Sequence, residues 1–183
     1  GLDYSGNMLA SAQKRCPSAQ LIESDMAHLS EKRAFDLITC FLYSIHYSHP
    51  VSAIKTTLER VFKALKPGGV FVFDTVDKFG IQEKDVISTT PSEDGTLLTF
   101  RSGWRYPGEG ETLTLHIAIM SQNDSGERLW KDRHTMTATS IADLVALMTS
   151  TGFDVTPLEH DFSTLREWQG NTYNALLVGA KPL

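Results

Sequence analysis

The chain has 183 residues, of which 41% are hydrophobic and 21% charged, enough to bury the core of one domain. Its net charge of −5 gives no basic surface for nucleic acid, and the absence of an apolar run of about 18 residues excludes a membrane-spanning helix. Two cysteines do not make a disulfide framework, which favours a reducing cytoplasm and predicts a cytoplasmic protein.

The first 25 residues place an acidic residue after each of two short predicted strands. Asp3 ends the first strand, a helix with apolar residues at helical spacing follows as far as Pro17, and Asp25 follows a second strand at 20–23. In a doubly wound sheet, an acid at such a strand end binds the ribose hydroxyls of a cofactor. The alternatives are an acid at a helix N-terminus for Asp3 and a loop cap for Asp25.

Strand and helix patterns alternate over the next 50 residues. Residues 35–40 form a mostly apolar run, typical of a strand buried on both faces. Pro50 opens a helix, and Pro67-Gly68-Gly69 turns the chain into a strand at 70–73. The apolar stripe of that helix consists of Val51, Ile54, Leu58, Val61, Phe62 and Leu65. This alternation predicts right-handed crossovers between parallel strands.

The pattern then changes to period-two alternation. Residues 75–95 are mixed and polar, so we expect a loop there, and residues 97–106, 111–121 and 127–137 each indicate a long strand. Turn residues at 107–110 and 123–126 separate them. The sequence therefore predicts a three-strand antiparallel meander over residues 97–137, inserted after the fifth strand.

The last 44 residues predict one helix and two strands. Ser140 caps a helix with Ile141, Leu144, Val145 and Met148 on its inner face, and Gly152 ends it. Residues 153–158 and 174–180 then form a strand pair. We expect a single domain over residues 1–183, in which one core carries the antiparallel meander as an added layer.

Four motifs in this order resemble the class I S-adenosylmethionine (SAM) dependent methyltransferases from their second strand onward. They are Asp3 after a strand, Ser24-Asp25-Met26, the strand at 35–40, and Leu65-Lys66-Pro67-Gly68-Gly69 leading into the strand that ends at Asp74. The resemblance implies an α/β fold with a doubly wound, mostly parallel, Rossmann-like sheet and an antiparallel terminal hairpin whose last strand enters that sheet. It also implies a first strand and glycine-rich loop upstream of Gly1, so we expect the sequence shown to lack them.

The same resemblance implies SAM as the cofactor and assigns residues to its adenosine end. Asp3 would accept from the ribose hydroxyls, and Tyr4 and Met8 would pack on the adenine face, although Met8 is equally suited to the core. Asp25 would accept from the adenine amino group, with the Met26 N–H donating to a ring nitrogen.

The segment after the fourth strand of the family corresponds to residues 40–47. The resemblance places it under the methionine part of SAM and at the floor of the acceptor pocket, with Cys40 and Phe41 beside the cofactor. His46 and Tyr43 are the catalytic candidates, because an imidazole titrates near neutrality and can take a proton, and Tyr47 is a substrate contact. The alternative for His46 is a loop histidine whose hydrogen bonds are satisfied by the backbone.

The meander carries aromatic and basic side chains for which two functions are open. Trp104, Arg133 and His134 could contact the substrate as apolar walls and a fixed donor, or the strands could form a homodimer face. We expect Trp104 and Trp130 to be mostly buried in the assembled protein, with Arg133 near the mouth of the pocket. The six histidines are scattered, and no spacing predicts a metal site.

The leading hypothesis is methyl transfer from SAM to a small-molecule acceptor, with nitrogen preferred slightly over oxygen. The strand layout of the meander resembles that of bacterial sugar-amine N,N-dimethyltransferases and related natural-product methyltransferases. A non-catalytic binding domain of the same fold is the alternative, and a nicotinamide-dependent dehydrogenase is a weaker one because an acid at a strand end suits both cofactors.

Overall fold

Three α-helices and ten β-strands form the regular structure of the computed structural model, which describes residues 1–183. In chain order they are β1 (Leu2–Asp3), α1 (Gly6–Arg15), β2 (Ile22–Glu23), β3 (Phe35–Cys40), α2 (Val51–Ala64), β4 (Leu65–Val76), β5 (Val86–Pro91), β6 (Leu97–Arg105), β7 (Thr112–Asn123), β8 (Gly126–Thr137), α3 (Ile141–Thr151), β9 (Asp154–Glu159) and β10 (Asn174–Ala180). None of the helices has the length and apolarity needed to span a bilayer.

The strands form three sheets. β1 and β2 form a parallel pair, β3-β4-β10-β9 form a second sheet, and β5-β6-β7-β8 form a third. In the second sheet only β3 and β4 run parallel, because β10 lies antiparallel to both β4 and β9. The expected insertion of the last strand is present, but the mostly parallel sheet is not, since β1 and β2 make no ladder with β3 and the C-terminal hairpin adds two antiparallel pairings.

The meander has four strands, one more than its sequence pattern indicates. The additional strand, β5, pairs antiparallel with β6 from Val86 opposite Ser102 to Pro91 opposite Leu97. All six residues of β5 are exposed, so the strand has no buried face to impose alternation on its sequence. Its edge position also accommodates Pro91, which has no N–H to donate.

Helices α2 and α3 cover one face of the second sheet. Local signals define α3: the Ser140 hydroxyl accepts from the Asp143 N–H at 3.0 Å, and Gly152 ends the helix at φ 110°, a conformation that favours glycine. Gly179 of β10 lies against Met148 and Phe153, with no room for a side chain. The buried residues shared by the helices and the sheet are Ile54, Leu58, Val61, Ile141, Leu144, Met148, Phe71, Phe73, Ala175 and Leu177.

A second, smaller apolar cluster joins the meander to the sheet. Leu113 of β7 and Met136 of β8 are buried with Val76, the last residue of β4. Tyr43 and Trp104 pack against this cluster. The chain from β3 to α2 is thereby held between the carboxyl end of the sheet and one face of the meander, and this segment borders the candidate site.

Candidate active site

A cavity of about 1020 Å³ lies between the β1–β2 pair and strand β3. Its polar lining comes from the carboxyl ends of these strands and from the segment after β3, as the crevice rule for open α/β sheets leads one to expect. The residues that border it include Asp3, Tyr4, Met8, Asp25, Met26, Cys40, Phe41, Ser44, Tyr47 and His134. The cofactor residues assigned by resemblance therefore border one cavity, together with two of the four substrate residues.

One carboxylate oxygen of Asp3 and one of Asp25 accept a hydrogen bond from a nearby backbone N–H. Oδ1 of Asp3 accepts from the Ser5 N–H at 2.7 Å, and Oδ1 of Asp25 accepts from the Ala27 N–H at 2.7 Å. These bonds fix both carboxylates at the cavity wall and leave the second oxygen of each for a ligand. An oxygen of this kind is the acceptor that a ribose hydroxyl or an adenine amino group requires.

The charge of the cavity favours a cation. Three carboxylates line it, those of Asp3, Asp25 and Glu31, whereas no lysine or arginine does. A sulfonium is positively charged, so SAM fits this lining, whereas the pyrophosphate of a dinucleotide would meet repulsion. The thiol of Cys40 adds no further charge, because burial, helped by Asp74, raises its pKa to about 12.

Asp74, at the end of β4, holds the turn that follows β3. Its buried carboxylate accepts from the Leu42 N–H at 3.1 Å and from the Tyr43 N–H at 2.8 Å. Both residues have left-handed backbones, with φ of 59° and 58°. His160, in the β9–β10 loop, approaches the same carboxylate at 3.4 Å. No sequence pattern predicted a role for Asp74 or His160.

Tyr43, a catalytic candidate from sequence, packs beside the cavity rather than lining it. Its ring meets Trp104 edge-on at 5.5 Å between centroids and stacks on His160 at 5.8 Å. Asn174 donates to its hydroxyl at 3.3 Å. Burial raises the pKa of Tyr43, so the phenol stays protonated at neutral pH. This geometry favours an anchoring function for Tyr43.

His46, the other catalytic candidate, is fully buried and away from the cavity lining. Nδ1 donates to the Thr137 carbonyl at 2.7 Å, whereas Nε2 accepts from the Val76 N–H at 3.2 Å and lies 2.9 Å from the Thr75 hydroxyl. Burial lowers the pKa of His46. Because both ring nitrogens have hydrogen-bond partners, the geometry favours the alternative of a structural histidine. The partners are two backbone groups and, in addition to what that alternative expected, the Thr75 side chain.

Tyr47 and His134 meet at the edge of the cavity. The Tyr47 hydroxyl is hydrogen-bonded to Nδ1 of His134, and Nε2 of His134 lies 3.1 Å from Oδ2 of Asp132. Asp132 was not among the residues selected from sequence. The available signal was the Asp-x-His spacing, because residues two apart on a strand share one face.

The remaining meander residues divide between the two faces of its sheet. Trp104 is half-buried against Tyr43, whereas Trp130 is 52% exposed in the isolated chain. Arg133 is exposed, and alternation along β8 places its side chain on the face opposite His134. The expected position of Arg133 at the pocket mouth is therefore not seen, since it does not line the cavity.

Comparisons with known proteins find similarity to methyltransferases. The family model described as a methyltransferase domain matches residues 1–69. The dTDP-3-amino-3,6-dideoxy-alpha-D-glucopyranose N,N-dimethyltransferase of Streptomyces fradiae is 28% identical over 159 residues, which cover 85% of this chain and 61% of that protein.

Two solved structures share the fold. Streptomyces venezuelae DesVI matches with a TM-score of 0.82 at 24% identity, over 100% of this chain and 73% of that one. SAM-bound CalS10, an amino pentose methyltransferase from Micromonospora echinaspora, matches with a TM-score of 0.80 at 20% identity, over 99% and 72% of the two chains. The matches therefore make this chain similar to SAM-dependent methyltransferases: residues 1–69 match a methyltransferase domain, and the chain shares its fold with structures that include a SAM-bound enzyme.

Proposed function

We propose that this domain transfers the methyl group of SAM to the amine nitrogen of a small-molecule acceptor. One observation carries the proposal: Asp3 and Asp25 border the same cavity as Tyr47 and His134. Cofactor-binding acids and a hydroxyl–imidazole pair therefore share one compartment. Similarity to enzymes named as amino-sugar methyltransferases supports an amine in preference to an alcohol.

The residues of this chain would bind the adenosine end of the cofactor and orient the acceptor. The second oxygen of Asp3 would accept from the ribose hydroxyls and that of Asp25 from the adenine amino group, while Tyr4 and Met8 offer exposed apolar surface beside them. Bound SAM supplies an electrophilic methyl group on a sulfonium. The protein's contribution to the rate is then alignment of the acceptor, exclusion of water and removal of one proton.

The cofactor assignment is tested by calorimetry with SAM and its demethylated product, S-adenosylhomocysteine. We expect Asp3→Ala to weaken binding by about 1.5–3 kcal/mol, the range for a hydrogen bond to a charged group. Asp3→Asn should weaken it less, because the amide retains an oxygen for the Ser5 N–H. The matched control is Asp36→Ala, which removes an exposed surface pair with Lys66. Equal affinity for Asp3→Ala and Asp36→Ala would remove Asp3 from the site.

The acceptor class is tested by measuring cofactor turnover with matched sugars. The panel consists of an amino sugar, the same amino sugar linked to dTDP, and the corresponding hydroxy sugars. We expect turnover with an amine and little with its hydroxyl counterpart. Faster methylation of the hydroxy sugar would contradict the nitrogen assignment, and binding without turnover on any acceptor would support the non-catalytic alternative. NAD serves as the control ligand for a dehydrogenase, and we expect it not to bind.

A further inference from the structure

We propose that Tyr47, His134 and Asp132 form a proton relay that accepts the proton released by the acceptor amine. The inference rests on the proposed function and extends it, because it names the groups that receive the proton and gives Asp132 a role. It also transfers that task from the buried His46 to a pair that borders the cavity.

The hydrogen bonds define the direction of the relay. Nε2 of His134 lies 3.1 Å from Oδ2 of Asp132, and a carboxylate accepts only, so Nε2 carries the hydrogen. In a neutral imidazole the lone pair then lies on Nδ1, where it accepts from the Tyr47 hydroxyl. Asp132 thus fixes the tautomer that keeps His134 ready to receive a proton from Tyr47.

The fold holds this arrangement in place from both sides. Alternation along β8 puts Asp132 and His134 on the same face of the meander. Across the strands, His134 is paired with Leu115 and Leu115 with Trp104, and Trp104 packs on Tyr43. The row Trp104–Leu115–His134 therefore lies against the segment that carries both Tyr43 and Tyr47, which brings the phenol and the imidazole together across 87 positions of sequence.

The charges around the relay suit a phenol that works by exchanging protons. Burial and the Asp132 charge raise the pKa of Tyr47, so the hydroxyl remains protonated at neutral pH. Hydrogen bonds from the Arg133 N–H and from His134 lower the pKa of Asp132, which keeps it ionised beside the imidazole. Three further carboxylates, Asp3, Asp25 and Glu31, line the cavity and attract a cationic acceptor.

The proton transfer balances without any additional reactant. The N–H bond of the acceptor breaks as a new O–H bond forms at Tyr47, and the original phenolic proton moves to Nδ1 of His134. The acceptor enters in its ammonium form, so the electron pair of the broken N–H bond stays on nitrogen as the lone pair that bonds to the incoming methyl carbon. The imidazolium is stabilised by Asp132 until it releases the proton to water, since the Asp132 side chain is largely exposed.

The kinetic test uses Tyr47→Phe, His134→Gln and Asp132→Asn, with His116→Gln as the matched control. His116 is exposed on the opposite face of the meander, where it pairs with Arg133 in register. We expect Tyr47→Phe and His134→Gln to lower kcat by about 10²–10⁴, the usual range for acid–base groups, with a smaller loss for Asp132→Asn. KM and the affinity for S-adenosylhomocysteine should change by less than about threefold, because the relay acts in the transition state. A kcat within about threefold of wild type for Tyr47→Phe would overturn the relay.

A second measurement does not depend on turnover. Nitrogen-15 NMR of the histidine rings in the ligand-free protein should show His134 as the Nε2–H tautomer in wild type. Tyr47→Phe should shift the Nδ1 resonance of His134, and Asp132→Asn should lower the Nε2–H population. A predominant Nδ1–H tautomer, or a spectrum unchanged by Tyr47→Phe, would overturn the relay even if amines are methylated. A wild-type protein that methylates no amine would instead overturn the proposed function, and the catalytic role of the relay with it.

Discussion

The buried imidazole of His46 is the residue at which sequence and geometry differ most. Its Nδ1–H donates to the Thr137 carbonyl and its Nε2 accepts from the Val76 N–H, so it connects the ends of β8 and β4 to the segment after β3. The sequence leaves two interpretations of His46 open, a general base and a structural residue. The structure supplies three partners for the ring, and this favours a contribution to stability.

The first prediction is that His46→Ala lowers stability. Removing a fully buried ring leaves a cavity and unpaired groups, so we expect the free energy of unfolding in urea to fall by about 2–5 kcal/mol. Affinity for S-adenosylhomocysteine should change little at temperatures where the variant is folded. A stable variant with kcat reduced 10²-fold or more, the range of a lost base, would restore the catalytic assignment.

The second prediction concerns pH. The pKa of His46 is lowered by burial from its ordinary value of 6.5, so the unfolded state binds a proton that the folded state does not. Stability should therefore fall as pH drops below about 6.5 and continue to fall until the folded pKa is reached, by up to about 1.4 kcal/mol per pH unit from this residue. We expect His46→Gln to flatten the dependence of unfolding free energy on pH between 7.5 and 5, and an unchanged dependence in this variant would contradict the prediction.

At the element scale, the turn after β3 is maintained against its own backbone preference. Leu42 and Tyr43 occupy left-handed conformations that disfavour side chains with a Cβ. The N–H groups of both residues donate hydrogen bonds to the buried Asp74 carboxylate. Tyr43 is held further by Trp104 and His160, whereas the Leu42 side chain is 83% exposed, so its substitution changes mainly the backbone strain.

The third prediction uses Leu42 to measure this strain. We expect Leu42→Val to lower the free energy of unfolding by about 1–2 kcal/mol, because branching at Cβ opposes a positive φ. Leu42→Asn should be neutral or stabilising, since Asn tolerates this conformation. The control is Leu129→Val, the same change at an exposed strand position, where Val is favoured. Equal changes in the free energy of unfolding for Leu42→Val and Leu129→Val would show that the turn stores no strain.

The predicted elements that carry a buried face match the structure most closely. Helix α3 and strand β10 have buried apolar residues at the predicted spacing, whereas β3 forms as predicted but is not buried on both faces, because four of its six residues are exposed. Strand β5 was not predicted, and the expected mostly parallel sheet is not present, although the antiparallel terminal hairpin and the insertion of its last strand were predicted. β5 has no buried face, and pairing direction depends on where a hairpin docks rather than on the residues within the strand.

At the scale of the whole molecule, the meander covers the carboxyl end of the second sheet with one end of its apolar face. Leu113, Met136 and Trp104 are packed there, while Phe100 and Trp130, farther along the same face, are exposed in the isolated chain. Burial of Trp130 therefore requires a ligand or another chain. Homodimerisation through the meander remains a prediction for this surface.

The fourth prediction separates the two tryptophans. At low protein concentration we expect Trp104→Ala to lower the free energy of unfolding by about 3–5 kcal/mol, and Trp130→Ala to cost less than about 1 kcal/mol. At high concentration Trp130→Ala should weaken self-association in sedimentation experiments, because an exposed Trp is a common interface anchor. Monomeric wild-type protein at every concentration would contradict the homodimer and leave the acceptor as the occupant of this face.

The sequence by itself determined the features that depend on neighbouring residues. Strand-end acids, helix stripes and alternating strands are local patterns, and the carboxyl ends of adjacent parallel strands meet at one edge, so Asp3 and Asp25 were expected on one cavity. Only the tertiary structure decided which distant side chains meet. His46 is buried and Tyr47 borders the cavity although the two are neighbours in the sequence, and Asp132 and His134 reach Tyr47 only because β8 docks there. Such contacts depend on packing between elements far apart in the chain, which no local pattern records.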